Sequence, residues 1–301
     1  MRISTEPKYV ISDDSIVLVA SENFGETGHP SSGTGGNRGW GAVAESPALA
    51  SYFGEIFDHD SGGGWVTEMA GAKGAESYSV AEAKTGNFLP KSFEGASVTL
   101  VISPDTSYLV GDLISSAKES VCIEQAYIKN WSSGENPWLE DAIDAARRGA
   151  NVRIILDSYY YNIEGDDDND EMAQYINAVA SSGSLPLEAR LISLESGYLD
   201  KVHNKGVIVD GRQVLVSSIN WNENSPSYNR EAGLIIDHSG AAGYFTEVFY
   251  SDWDSSAPAD PSTGHIGDVS GSSQTDELRN YIAAGVIFLF AALYVVKKKR
   301  F

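Results

Sequence analysis

Lys8-Tyr9-Val10-Ile11-Ser12-Asp13 and Lys205-Gly206-Val207-Ile208-Val209-Asp210 are two versions of one phrase, and their relation decides the fold. Ten residues beyond each aspartate stands an asparagine, with a serine two places before it: Ser21 and Asn23 in the first copy, Ser218 and Asn220 in the second. Asn37-Arg38 then lines up with Asn229-Arg230. Further on, Tyr52-Phe53-Gly54-Glu55-Ile56-Phe57 lines up with Tyr244-Phe245-Thr246-Glu247-Val248-Phe249. The offset is 197 before an intervening loop and 192 after it, so one five-residue difference in loop length reconciles the copies. A period this long implies two related lobes, not a solenoid.

Around the second copy the patterning alternates between strand and helix. Val98–Ser103, Val121–Ile128, Asn151–Asp157, Leu187–Ile192, Val202–Val209, Val214–Ser218 and Ala232–Ile236 read as strands. Tyr108–Lys118, Pro137–Gly149, Glu171–Ser182 and Ala241–Tyr250 read as helices, the second with proline at its start and glycine at its end. The expected class is α/β (an α+β sandwich): two related lobes, each a mixed sheet flanked by helices, the first incomplete. The expected organisation is 1–60 for the later part of lobe one, 61–96 for a Gly/Ser/Ala-rich linker, and 97–253 for a complete second lobe. A disordered Ser/Gly/Asp/Pro-rich stalk follows over 254–279, then a transmembrane helix over 280–296 and a basic tail over 297–301. In lobe two Val98 lies 105 residues before His203, whereas five residues precede Glu6, the equivalent position in lobe one. That difference leads to the expectation of a truncated or misread gene start.

The chemistry concentrates in lobe two. His203 stands two residues before Lys205, and Asp210, Ser218, Asn220 and Glu231 follow. On a strand, residues i and i+2 share a face, so imidazole and ammonium would project together. Imidazole supplies a nucleophile or proton carrier near neutral pH. Lys205, Ser218 and Asn220 can neutralise phosphoryl oxygens, while Asp210 and Glu231 can orient and charge-compensate the histidine and lysine. The first copy keeps Lys8, Asp13, Ser21 and Asn23, but Glu6 occupies the histidine position and Gly39 the position of Glu231.

His203-x-Lys205-x4-Asp210, with Ser218, Asn220 and Glu231 downstream, resembles the signature of the phospholipase D superfamily, over roughly residues 6–60 and 98–253. The resemblance implies two such motifs meeting in one cleft, where one histidine attacks phosphorus and the other protonates the leaving alcohol. It implies no metal and no cofactor. By position, Lys205, Ser218, Asn220, Lys8, Ser21 and Asn23 would bind phosphate, His203 would be the general acid, and the nucleophile would come from lobe one. Glu6 and Asp13 belong to the degenerate motif. A homodimer sharing two copies of His203 is the arrangement of single-motif relatives.

The charge balance of 42 acidic against 21 basic side chains disfavours nucleic acid as substrate unless a basic cleft hides within it. From Tyr281 to Val296 run sixteen uncharged, mostly apolar residues, followed by Lys297-Lys298-Lys299-Arg300. Their helix would rise about 24 Å. The expectation is a phospholipid or other phosphodiester substrate, a membrane anchor, and a body outside the cytoplasm by the positive-inside rule, the alternatives being a nuclease-type phosphodiesterase or a catalytically inactive truncated remnant. Cys122, the one cysteine, sits in an apolar run and reads as a buried core residue. Asp166–Glu171 lacks the glycine and glutamate of a calcium loop and reads as a solvated turn.

Overall fold

The computed structural model describes residues 4–30, 36–62, 88–165, 168–194 and 199–258. The first copy of the repeat runs β1 (Ser4–Thr5), β2 (Tyr9–Ser12), β3 (Ile16–Ala20), β4 (Gly36–Arg38), β5 (Gly41–Glu45) and α1 (Pro47–Ser61). Then follow β6 (Ser97–Ser103), α2 (Leu109–Ser115), β7 (Ser120–Gln125), α3 (Pro137–Arg147), β8 (Asn151–Leu156), α4 (Asn169–Gly183) and β9 (Leu187–Ile192). The second copy of the repeat is β10 (Leu199–Val202), β11 (Lys205–Val209), β12 (Gln213–Ser217), α5 (Asn224–Tyr228), β13 (Asn229–Asp237), α6 (Ser239–Asp254) and β14 (Ser256–Pro258).

Lobe two is a large mixed sheet in the order β6-β13-β12-β11-β7-β8-β9-β14. Its parallel pairs, β7–β8 and β8–β9, are joined by crossovers through α3 and α4, as parallel neighbours require. Alternate residues of the central strands feed opposite cores. Val207, Val209 and Leu215 pack with α2, α3 and α4, while Ile208, Val214 and Val216 pack with α6. Helix α3 shows why such sequences choose their element. Asn136 Oδ1 accepts from the Trp138 and Leu139 amides, Pro137 opens the first turn, and Leu139, Ala142, Ile143 and Ala146 form one buried stripe.

Lobe one differs from its expectation. Among the described residues its own sheet is the three-stranded β2-β3-β5, antiparallel throughout and therefore not mixed. Parallel pairing needs a helical crossover, and this copy contributes only a hairpin and a returning strand. One face is closed by α1, whose Ala50 and Phe53 join Tyr9, Val17 and Val19 in a core shared with Ile102, Ala232 and Leu234 of lobe two. On the other face lie Val10, Leu18 and Val43, the counterparts of Val207, Leu215 and Ile235. Val43 is 69% exposed and Ile235 7%.

The two copies are joined reciprocally. β1 pairs in parallel with β13, and β10 pairs in parallel with β4. The Glu6 amide donates to Arg230 O at 2.9 Å, and the His203 amide donates to Arg38 O at the same distance. Asp13 and Asp210 hold φ values of 50° and 52° in equivalent turns. Ser46 and His238, again equivalent, cap α1 and α6. This pseudo-twofold relation brings the start of each motif to the other lobe.

Two further expectations meet the structure here. Residues 256–258, placed in the disordered stalk, form β14 against β9, because the free edge of β9 offers a row of unpaired backbone groups. The transmembrane segment 280–296 lies outside the described residues. No helix among the described residues is long and apolar enough to cross a membrane. Cys122 is buried on β7, and burial pushes its thiol up to about 11.

Candidate active site

His203 and Asn204 occupy a two-residue break between β10 and β11. β10 is registered against lobe one and β11 against β7 and β12, so the chain changes partners at this point. His203 and Lys205 therefore do not lie on one continuous strand, as the spacing alone predicts. Instead Lys205 Nζ folds back to donate to the His203 carbonyl at 2.6 Å. The His203 side chain is 19% exposed, so the ring is mostly enclosed yet reachable. Burial, then the neighbouring Lys205 ammonium, lowers its pKa to about 4, against the opposing pull of Glu22. Near neutral pH the imidazole is uncharged, with a lone pair to give. That state suits a nucleophile or base better than the general acid implied by position.

The two motif lysines come from different lobes and converge. Lys205 is fully buried and Lys8 nearly so. Lys8 Nζ donates to the Glu6 carbonyl at 2.9 Å, repeating the Lys205 arrangement, and stands 3.8 Å from Glu231 Oε2. Burial and then Lys8 hold the Lys205 ammonium well below the usual lysine range. A phosphate placed beside both would neutralise that mutual repulsion, which is what a phosphate site of two cations requires.

Glu231 is buried, and burial raises its pKa against the pull of Lys8. It accepts from Ser218 Oγ at 2.5 Å and from Ser225 Oγ at 3.0 Å. Ser218 Oγ also accepts from the Ala232 amide, as Ser21 Oγ accepts from the Trp40 amide in the other lobe. Both motif serines thus brace their own strands within the interior, and Ser218 gives its hydroxyl hydrogen to Glu231. Asn220 is half-buried with Oδ1 unpartnered, whereas Asn23 is exposed at the rim.

Asp210 and Asp13 are not in the site. Asp210 lies at the far end of β11, where its carboxylate accepts from the amides of Lys118, Glu119 and Ser120. Burial would raise its pKa, yet those amides hold the carboxyl below the usual range. Asn204 and the five residues of β11, themselves about 17 Å long, separate it from His203. Its role is to fix the β11–β12 turn in a left-handed conformation that aspartate tolerates. Asp13 holds the same turn, exposed, in lobe one.

Two neighbours were not identified in the sequence. Glu22 Oε2 stands 3.5 Å from His203 Nδ1 and accepts from Asn37 Nδ2 at 3.0 Å. Its counterpart in lobe two is the apolar Ile219, so the repeat gave no sign of it. Tyr127 accepts from Asn222 Nδ2 at 3.0 Å. Burial, then Glu231 and Glu6, pushes its phenol up to about 12. Among the described residues no group of three His, Cys, Asp or Glu is arranged to hold a metal ion.

One histidine and two buried lysines are thus gathered from two pseudo-symmetric motifs beside a large mixed sheet. Residues 110–253 match the family model described as cardiolipin synthase, PLD-like domain. It is similar to the mitochondrial cardiolipin hydrolases of Danio rerio and Xenopus tropicalis. Identity is 26% over 113 residues and 30% over 118 residues, taking in 38% and 37% of this chain. Those alignments cover 44% and 46% of the relatives, so the chain spans less than half the length of the curated relatives it matches. Phosphatidylserine synthase of Haemophilus influenzae has a similar fold, at a TM-score of 0.57 and 16% identity over 84% of this chain and 63% of that one.

Proposed function

We propose that the protein is a phospholipid-directed phosphodiesterase in which His203 is the nucleophile. The observation that carries this reading is a neutral, mostly enclosed imidazole beside Lys205, with Lys8 arriving from the other lobe. In the proposed cycle Lys205, Lys8 and the Asn220 amide hold the phosphoryl oxygens. His203 Nε2 attacks phosphorus, the phosphorus–alkoxide bond breaks, and the leaving oxygen takes a proton from solvent water on the lobe-one side, where Glu6 replaces a histidine. Water then cleaves the phosphohistidine bond. Glu6 occupies the position of a second histidine, so turnover is expected to be slow. A missing positioned acid typically costs about 10²–10⁴-fold.

The lipid preference draws on the names of the two cardiolipin hydrolases and on the acidic balance of the chain, which repels polynucleotides. The apolar run 281–296 would anchor the body to the bilayer, with residues 1–275 outside the cytoplasm. Protease added to intact cells would digest the body under that topology. Full-length protein should release headgroup or phosphatidate from cardiolipin or phosphatidylglycerol vesicles, followed by 31P NMR, and leave plasmid DNA intact. His203→Ala should remove the lipid activity. Cleavage of DNA with no action on vesicles would overturn the substrate class. Glu6 favours a second reading, a phosphate-binding module without turnover, which the same assay supports if phosphate binds and neither substrate is cut.

A further inference from the structure

We propose that Glu22 is the positioning residue for His203, fixing the Nδ1–H tautomer so that Nε2 faces the phosphorus, from the volume that Gly39 leaves free. The proposal rests on the reading of His203 as the nucleophile.

The repeat supplies the first observation. Position 39 corresponds to Glu231 and position 22 to Ile219. Lobe two therefore has a carboxylate at the strand position and an apolar residue after the serine. Lobe one has the reverse, glycine at 39 and a carboxylate at 22. Space supplies the second. A Cβ at Gly39 would lie 2.3 Å from Glu22 Cγ and 2.8 Å from Oε1, so any side chain at 39 would displace Glu22. A Cβ at Gly28 would lie 2.9 Å from Glu22 Oε2. Two glycines thus leave the slot that Glu22 fills, and its carboxylate takes the volume that a residue at 39 would have used.

Hydrogen bonding supplies the third. Glu22 is buried, and its Oε1 has no hydrogen-bond partner. His203 Nδ1 is likewise buried and unpartnered, 3.5 Å from Oε2. Oε2, which already accepts from Asn37, has a second lone pair, so one small closure of the 3.5 Å gap would satisfy His203 Nδ1, the tightening expected when substrate arrives. Asn37 holds Oε2 in place meanwhile. The charged groups acting on the imidazole are the cations Lys205 and Lys201 and the anion Glu22. Burial works against ionisation of Glu22, but His203, Asn37 and Lys205 together keep its carboxyl below the usual range. An ionised carboxylate only accepts, so the neutral imidazole opposite must carry its hydrogen on Nδ1.

The test reads the tautomer directly. Full-length protein labelled with 15N-histidine, in detergent, gives long-range 1H–15N correlations that distinguish Nδ1–H from Nε2–H. His203 is assigned by its loss in His203→Ala. Wild-type protein should show Nδ1–H at neutral pH. Glu22→Leu, which copies the apolar counterpart Ile219, should shift His203 toward Nε2–H. It should also lower kcat by about 10²–10⁴-fold with KM nearly unchanged. Glu22→Ala combined with Gly39→Glu supplies the acid to the same volume from the position equivalent to Glu231, and should restore Nδ1–H and at least about tenfold of the lost kcat. An unchanged tautomer in Glu22→Leu overturns the proposal. A folded double variant that stays Nε2–H overturns the claim that a carboxylate in the volume above Gly39 sets the tautomer. Wild-type protein that shows the tautomer effect and cuts no phosphodiester overturns the enzymatic reading alone.

Discussion

Replacing Glu6 with histidine should raise activity, because lobe one already holds that position as lobe two holds His203. The Glu6 amide is bonded to Arg230 O, and the His203 amide to Arg38 O, both at 2.9 Å. Lys8 Nζ reaches the Glu6 carbonyl at 2.9 Å, and Lys205 Nζ reaches the His203 carbonyl at 2.6 Å. An imidazole at position 6 would therefore enter beside Glu231 and Tyr127, whose titrations both feel Glu6. It would supply the positioned acid for the leaving oxygen. General acid catalysis is worth about 10²–10⁴-fold, or about 3–5 kcal/mol of barrier. The gain should depend on the leaving group. Alkyl phosphodiesters, whose alkoxide needs a proton, should gain the full factor, while a nitrophenyl ester, which leaves unaided, should gain little. Steady-state rates on both substrates, with His203→Ala as the control, provide the assay. Equal rates for wild type and Glu6→His on the alkyl ester would refute the assignment of lobe one as the leaving-group side.

Four other outcomes are expected. The acid limb of kcat/KM should fall at about pH 4, where His203 protonates, and not near 6.5. The same depressed pKa means the unfolded chain binds a proton between pH 6.5 and 4 that the folded chain refuses, so stability should fall as pH drops through that window, by up to about 3 kcal/mol; denaturant titrations at pH 7 and pH 4 of wild type and His203→Ala measure it. Asp210→Ala should cost about 1–3 kcal/mol of stability by freeing the amides of Lys118, Glu119 and Ser120, with kcat per folded molecule unchanged; a matching loss of kcat would return Asp210 to the catalytic set. Amide hydrogen exchange should be faster in β2, β3 and β5 than in β7, β8, β11 and β12, since Val43 and its neighbours lie uncovered while their counterparts are buried; equal protection would contradict this.

Repetition made the relation between the two copies visible, because lysine, aspartate, serine and asparagine recur at fixed intervals however far the apolar residues drift. Period made lobe two visible, since its strands and helices are long and their buried residues regular. Leu187–Ile192 spans the same residues in sequence and structure, and α3 differs only in its last turn. What stayed hidden depended on contacts between distant segments. The short parallel pairings β1–β13 and β10–β4 are two to four residues long and carry no period. The break at His203 and Asn204 follows from those pairings and not from local propensity. Asp210 looked catalytic because spacing cannot tell a turn-capping carboxylate from a charge-compensating one. Glu22 was overlooked because the motif counts its position as variable, and its value comes from the empty space above Gly39.

The central claim is that His203 carries the phosphoryl group, and covalent trapping tests it most directly. Full-length protein mixed with excess phosphodiester, quenched in alkali and digested, should yield a peptide whose mass gain sits on His203. The same peptide from His203→Ala should be unmodified and that protein inactive. Continued turnover by His203→Ala, or turnover by the wild type with no adduct at His203 under single-turnover conditions, would contradict the account.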